Sequence, residues 1–397
     1  VRAILYKGQS QYDALRSFID YVAAGLQELG VKTTVIDLLE KDAIQRINTE
    51  IKSEKVDFFL SFNGMGFNFK TDDGRSIYEV MGCKFVSIYV DHPLHHMDRI
   101  RNSPKNTIAT FIDRDHLDFA RTYLDHDGFS ALAFLPHGGA GDLRPAPDFR
   151  NGQTKIIFSG SFKNNLEKEW RNPTFDSDVG MIVDEVWREI NEFADLSIDK
   201  AVSKVINAKG LVLKKEQLIN LSWVCFSSIA ALKTSKNRLS LLEHFDQKGI
   251  EVDVYGPATW DAYCRKSRSL IYKGQLSLED TIEKSGEYHF VLNDNNDFTD
   301  GSHERFYNSL FSGAIPVTPS NKYYEELNGG ELGVLFDRVT LTGLPTSHEE
   351  LKELFVKKRA VLEKEIDDLR RNHSWAARAA RIIQLVKLSS LTLDKGT

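Results

Sequence analysis

The chain has 397 residues, 41% of them apolar and 27% charged, with a formal net charge of −6 at neutral pH. That length exceeds what one hydrophobic core serves and predicts two domains, while the acidic balance excludes a nucleic-acid footprint spread over the whole surface. The three cysteines, Cys83, Cys225 and Cys264, are too scattered for a metal-ligand spacing or a disulfide framework, and no apolar run is long enough to cross a bilayer. The expected compartment is a reducing cytoplasm, with any membrane contact peripheral and at its inner face. The first residues read as the strand Ala3-Ile4-Leu5-Tyr6 rather than as a signal peptide.

Apolar runs at 1–6, 33–36, 56–62 and 84–90 predict strands, and helical periodicity at 13–29, 42–52 and 76–81 separates them. This alternation predicts a parallel sheet wrapped by helices, with ligands above the carboxyl ends of the strands. Three loops lie there. Lys7-Gly8-Gln9-Ser10 lacks the three glycines of a dinucleotide fingerprint. Asn63-Gly64-Met65-Gly66 reads either as a loop whose glycines let backbone approach a sugar or acceptor, or as a plain tight turn. Asp91-His92-Pro93-Leu94-His95-His96 sets a carboxylate beside imidazoles at a strand end, which suits acid–base chemistry and makes Asp91, His92 and His96 the catalytic candidates. The competing reading of each histidine is a helix cap or a satisfied pocket. Zinc is not expected, because Pro93 disfavours helical geometry at His92 and no third soft ligand is near in sequence.

Strands at 107–112 and 131–135 flank a helix at 115–124, and the glycine- and proline-rich stretch 138–152 marks a domain boundary. A second strand series opens at 155–158 and runs into Ser159-Gly160-Ser161-Phe162-Lys163, whose N–H groups, hydroxyls and ammonium suit an anion. Residues 166–229 are helix-rich and read as an insertion without assignable chemistry. The α/β pattern resumes with a helix at 237–248, a strand at 252–255 ending at Tyr255-Gly256, a helix at 278–285 and a strand at 288–292. Next comes Asp300-Gly301-Ser302-His303-Glu304-Arg305-Phe306-Tyr307-Asn308-Ser309-Leu310-Phe311-Ser312-Gly313, a polar loop opening an apolar-periodic helix, followed by the strand Ile315-Pro316-Val317-Thr318. A helix amino end offers unpaired N–H groups and a positive dipole end, so this turn is the candidate phosphate site. Residues 347–388 are mostly helical, and neither a repeat nor a low-complexity tract is present.

The segment 301–318 resembles the donor-binding loop and helix of GT-B glycosyltransferases, in particular the CgeB-like branch, through Glu304-Arg305-Phe306, Asn308-Ser309 and Ser312-Gly313-Ala314-Ile315-Pro316-Val317. Weaker likeness runs over 84–96, 107–145 and 155–163. The resemblance implies an α/β fold of GT-B architecture: two Rossmann-like domains facing a cleft, residues 1–150 on the acceptor side and 151–370 binding a nucleotide sugar. A helical insertion at about 164–230 and a terminal helix, 371–397, returning to the first domain complete it. His137 then falls at the hinge, and Trp375, Arg378 and Arg381 lie on the returning face. The implied donor-binding residues are Ser159, Gly160, Ser161, Lys163, Tyr255, Gly301, Ser302, His303, Glu304, Arg305 and Asn308, with a UDP- or GDP-linked sugar as substrate, no cofactor and no metal. Many relatives carry two glutamates separated by seven residues, where this chain has Asp300 and Asn308; an asparagine amide still bonds a hydroxyl, but without the charge. The acceptor is expected to be a glycan, a lipid-linked sugar or a protein. Two rivals share the architecture: a nucleotide-sugar 2-epimerase, and a non-catalytic nucleotide-sugar or glycan-binding module.

Overall fold

The computed structural model describes residues 1–124, 128–149, 153–163, 166–193, 195–295 and 298–391, with Gln11 known by its backbone alone. Residues 150–152 of the expected boundary, Asn164 and Asn165 at the start of the expected insertion, Asn296 and the terminal 392–397 lie outside the described residues. Two compact units form: Val1–Ala140 together with the chain from Asp368 onward, and Gly141–Asp367.

In the first unit, β1 (Arg2–Lys7), α1 (Ala14–Glu28), β2 (Lys32–Asp37), α2 (Ala43–Ser53), β3 (Phe58–Phe62), α3 (Ile77–Val80) and β4 (Lys84–Tyr89) follow one another. Then come α4 (Met97–Arg101), β5 (Thr107–Phe111), α5 (Arg114–Tyr123) and β6 (Ala131–Phe134). The six strands are parallel in the order β2-β1-β3-β4-β5-β6. Every residue of β3, β4 and β5 is buried, as expected of strands covered on both faces. Asp113 caps α5 by accepting from the N–H groups of Asp115 (2.7 Å) and His116 (3.3 Å), which satisfies donors the helix itself cannot.

The second unit opens with β7 (Ile156–Ser159), α6 (Ser177–Glu192), α7 (Ile198–Ala208) and α8 (Lys215–Gln247). It continues through β8 (Val252–Tyr255), α9 (Thr259–Cys264), β9 (Leu270–Tyr272), α10 (Leu278–Ser285), β10 (Phe290–Leu292), α11 (Glu304–Ser312) and β11 (Ile315–Pro319). Short helices α12 (Lys322–Glu326) and α13 (Gly329–Leu332), β12 (Val334–Phe336) and α14 (His348–His373) follow, and α15 (Trp375–Leu391) ends the described chain. The order is β12-β11-β10-β7-β8-β9, again all parallel. The expected break between an insertion ending near 230 and a helix beginning at 237 does not exist, because α8 is continuous. Its polar stretch Thr234-Ser235 stays helical because Thr234 Oγ1 donates to Ala230 O (2.9 Å) and Ser235 Oγ to Lys163 O (3.1 Å), so neither hydroxyl competes with the helix ladder.

From Asp368 the chain belongs again to the first unit, where α15 lies against α1. Gly25 makes this approach feasible: a Cβ there would stand 2.7 Å from Ala376 Cα. Trp375 packs on Phe18 (4.9 Å between ring centres) and Phe62 (5.9 Å), and burying such side chains contributes about 1.5–3 kcal/mol each. Gly138, beside His137 at the expected hinge, is closely packed. A Cβ at Gly138 would sit 2.7 Å from the Trp375 backbone nitrogen, Gly139 N–H donates to His373 O (2.8 Å), and His137 is buried beside Phe18 and Trp375 while its carbonyl accepts from Arg378 Nε (3.1 Å).

Candidate functional site

In the second sheet the chain builds β7, β8 and β9 outward on one side and β10, β11 and β12 on the other, so the order reverses between β7 and β10. Ligands of open parallel sheets bind outside the carboxyl ends of the strands at such a reversal. The residues that follow these two strands meet there through one acid. Asp294, after β10, is 1% exposed and accepts from Arg238 Nε of α8 at 2.8 Å and from Arg305 Nη1 of α11 at 3.3 Å. Arg238 also donates through Nη1 to the carbonyl and the hydroxyl (2.8 Å) of Ser161, after β7. Burial alone would raise the Asp294 pKa, but the charges of Arg238 and Arg305 and the Arg238 hydrogen bond outweigh it and hold the carboxyl well below the usual range.

The cluster thus carries two permanent positive charges and one negative. Arg305 is 13% exposed, and its Nε and Nη2 donors bond no other described residue. Likewise, the N–H groups of Ser161, Phe162 and Lys163 bond no other described residue. Lys163 is exposed, Ser159 and Gly160 are half-buried, and the Gly160 carbonyl is fixed by Trp260 Nε1 (2.8 Å). Close backbone approach shapes this edge: Gly160 N–H donates to Tyr255 O (3.0 Å), and a Cβ on Gly256 would lie 2.2 Å from Gly160 O. The Tyr255 side chain does not share the site. It is 7% exposed, packs with Ile157, Tyr288, Val291 and Ala314, and places its hydroxyl 3.4 Å from that of Tyr288.

The turn into α11 is tighter than its sequence implies. Asn295, in the left-handed region at φ 46°, accepts from His303 N–H (3.1 Å) and Tyr324 Oη (3.0 Å) and donates to Phe298 O (3.0 Å), which ties the loop to the sheet. Gly301 gives its carbonyl to Asn321 Nδ2 (2.9 Å) and Ser302 is fully buried, so both brace the loop instead of facing outward. The helix begins at Glu304 with His303 as its cap, and His303 Nδ1 lies 2.5 Å from Glu304 Oε2 and 3.4 Å from Arg305 N. The shorter contact claims the proton on Nδ1, which leaves that nitrogen a poor acceptor for the Arg305 N–H. Asn308 lies one turn further along the same face as Glu304 and is 4% exposed. Of the expected donor residues at this turn, His303 and Arg305 retain exposure.

In the first unit the reversal lies between β1 and β3, and the loops there touch. A Cβ on Gly8 would meet Met65 Sδ at 2.1 Å. Asn63, with φ 50°, ends β3 and links its loop to β4: its Oδ1 accepts from Val90 N–H (3.0 Å) and its Nδ2 donates to Asp91 Oδ2 (2.8 Å). The same carboxylate oxygen lies 3.3 Å from His96 Nε2, whereas Nδ1 of His96 bonds no other described residue. Asp91 is half-exposed and His96 is 12% exposed. Crowding works to raise the Asp91 pKa, but the hydrogen bond from His96, the charges of His96 and His95 and the bond from Asn63 outweigh it, so the carboxyl is held below its ordinary value. His92 is placed otherwise. Buried at 5%, it accepts from Leu94 N–H through Nδ1 (3.2 Å) and sits edge-on to His116 and Phe119, capping the turn after Pro93.

Sequence reasoning missed Arg238 and Asp294. The Asn293-Asp294-Asn295 run was readable as a strand-end loop, but nothing local links it to an arginine 56 residues earlier in mid-helix.

No protein-family model matches the sequence, and no curated protein matches it. Among solved structures, a DNA-modifying β-glucosyltransferase, crystallised with and without uridine diphosphoglucose, aligns over 97% of this chain and 99% of its own at 9% identity with a TM-score of 0.50. The lipopolysaccharide outer core galactosyltransferase WaaB aligns over 97% and 98% at 10% identity with a TM-score of 0.46, and S. aureus MnaA with UDP over 97% and 96% at 11% with 0.39. Identities this low speak to fold alone, and only the first alignment is close enough to carry even that. Two six-stranded parallel sheets of Rossmann type, one in each unit, give this chain the GT-B fold.

Proposed function

We propose that the chain is a glycosyltransferase that moves a sugar from a nucleotide-sugar donor to a hydroxyl acceptor, and that it belongs to the CgeB-like branch its α11 segment resembles. The observation that carries this reading is the Arg238–Asp294–Arg305 cluster at the strand reversal of the second sheet, with donors of Arg305 and three consecutive loop N–H groups beside it making no bond to other described residues. A nucleoside diphosphate gains negative charge as it leaves. Donors held in place beforehand stabilise that charge without reorganising, and the arginine pair supplies the countercharge a divalent ion would otherwise bring. Arg238 and Asp294 position Arg305, and Lys163 reaches the diphosphate from the other loop.

In the first unit, His96 is the base and Asp91 its partner. A carboxyl whose pKa is depressed is a weak base but a good stabiliser of an adjacent imidazolium, and holding Nε2 leaves Nδ1 to accept a proton. The acceptor oxygen bonds to the anomeric carbon, its proton passes to His96 Nδ1, and the bond from the anomeric carbon to the diphosphate oxygen breaks with its electron pair on the nucleotide. This route inverts the anomeric centre. The acceptor class is a glycan, a lipid-linked sugar or a protein.

Thermal shift against UDP, GDP, CMP and TDP and their sugars identifies the donor, since a ligand bound only by the folded form raises its melting point. With that donor, His96→Ala should lower turnover about 10²–10⁴-fold while the thermal shift persists. Arg305→Met should abolish the shift, and EDTA should leave turnover unchanged. Silence toward every nucleotide would overturn the reading. Product formed from donor without any acceptor would instead indicate an epimerase.

A further inference from the structure

We infer that the turn between α7 and α8 docks on an anionic lipid surface. The apolar face of α7, including Ile198, Val202, Val205 and Ile206, is buried. The helix closes at Gly210 (φ 67°), with Lys209 N–H returning to Val205 O and Leu211 N–H to Ile206 O, each at 3.1 Å. Five residues later α8 begins, its first turn locked by Lys214 N–H donating to Gln217 Oε1 (2.9 Å). Between these two anchored ends Leu211-Val212-Leu213 is displayed at the surface. Leu211 is 45% exposed and Val212 96% exposed. Among the described residues of this unit none covers Val212, although the flanking backbone is well fixed.

Charge selects the partner. Between Lys200 and Lys215 the sequence holds five lysines, at 200, 204, 209, 214 and 215, and no aspartate or glutamate, in a chain that is acidic as a whole. Lys204 and Lys209 pair with Glu189 and Glu185 of α6, and Lys214 and Lys215 lie exposed immediately beside the aliphatic tip. Protein–protein interfaces favour aromatic residues and arginine and deplete lysine, and 209–215 contains neither an aromatic residue nor an arginine. Aliphatic side chains flanked by lysines are instead the pattern that enters the headgroup boundary of a bilayer with anionic lipids. No helix among the described residues is long and apolar enough to cross a membrane, so this contact lies on the surface. The inference is independent of the proposed glycosyl transfer.

Co-sedimentation of the full chain with phosphatidylcholine vesicles, with and without phosphatidylglycerol, tests it. Binding is expected to the anionic vesicles, weakening with salt. Val212→Asp should reduce partitioning about tenfold or more, and Lys214→Gln with Lys215→Gln by a similar factor. Val212 is almost fully exposed, so an unchanged melting temperature should accompany the loss. Failure of the parent chain to bind anionic vesicles, or equal binding by the Val212→Asp variant, would overturn the inference. A concentration-dependent dimer abolished by Val212→Asp would also overturn it, by assigning the tip to a second copy of the chain.

Discussion

Asp294→Asn separates the two jobs of the cluster at the β7/β10 reversal. The substitution keeps size and shape but removes the one negative charge between Arg238, 5% exposed, and Arg305, 13% exposed. At an effective dielectric near 20, each contact, at 2.8 and 3.3 Å, is worth roughly 5 kcal/mol of gross attraction. Most of that is offset by the cost of desolvating the three groups, and measured losses on removing one partner of a buried ion pair are about 3–5 kcal/mol. For a domain of this size that corresponds to a fall in Tm of about 10 °C. Differential scanning calorimetry of the two proteins reads it directly. A nucleoside diphosphate at saturation should recover more of the loss in the variant than it adds to the parent, because its phosphates replace the missing anion between the two guanidinium groups. A variant melting within about 2 °C of the parent would refute the idea that Asp294 holds the two arginines together. Equal stabilisation of both proteins by nucleotide would separate the cluster from the donor site.

Two further outcomes follow from packing and titration. Gly25→Ala should destabilise the first unit although alanine favours helix by about 1 kcal/mol, since the added methyl meets Ala376 Cα and overpacking costs about 1–3 kcal/mol; a chemical-denaturation midpoint that rises instead would contradict the α1–α15 contact. His289 is fully buried, accepts from Lys155 N–H through Nδ1 (2.9 Å) and donates to Pro147 O (3.0 Å), and burial pushes its pKa down to about 4. The unfolded chain takes up this proton below about pH 6.5 and the folded one does not until about pH 4, so stability is complete above pH 6.5 and falls by about 3 kcal/mol in total as pH drops through that window. His373, also pushed down to about 4, titrates over the same range. His289→Gln should flatten the stability–pH slope between pH 6.5 and 4, and an unchanged slope would count against a buried neutral His289.

Local periodicity settles much of this protein. Strands such as Phe58–Phe62 and Lys84–Tyr89 are continuous apolar runs buried on both faces, and the helix ending at Gly313 announces itself through an apolar stripe closed by a left-handed glycine at φ 95°. The α8 helix was less legible, because hydroxyls that bond backward along a helix look the same in sequence as hydroxyls that end one. The loops after β4, β7 and β10 were likewise found from strand-end position alone, which is where a parallel sheet exposes its functional edge.

What composition and spacing leave open is which side chain in such a loop turns outward. Asp91, His92 and His96 are equivalent as letters, yet the turn that begins at Pro93 sends His92 into the core against His116 and brings His96 back onto Asp91. Gly301 and Ser302 read as anion donors until Asn321 and the burial of the loop claim them. The ion pair between Arg238 and Asp294 joins a helix and a strand end 56 residues apart. No local pattern encodes it, because burial of a charge is affordable only where the fold delivers its partner, and that delivery is a property of the assembled sheet rather than of either segment.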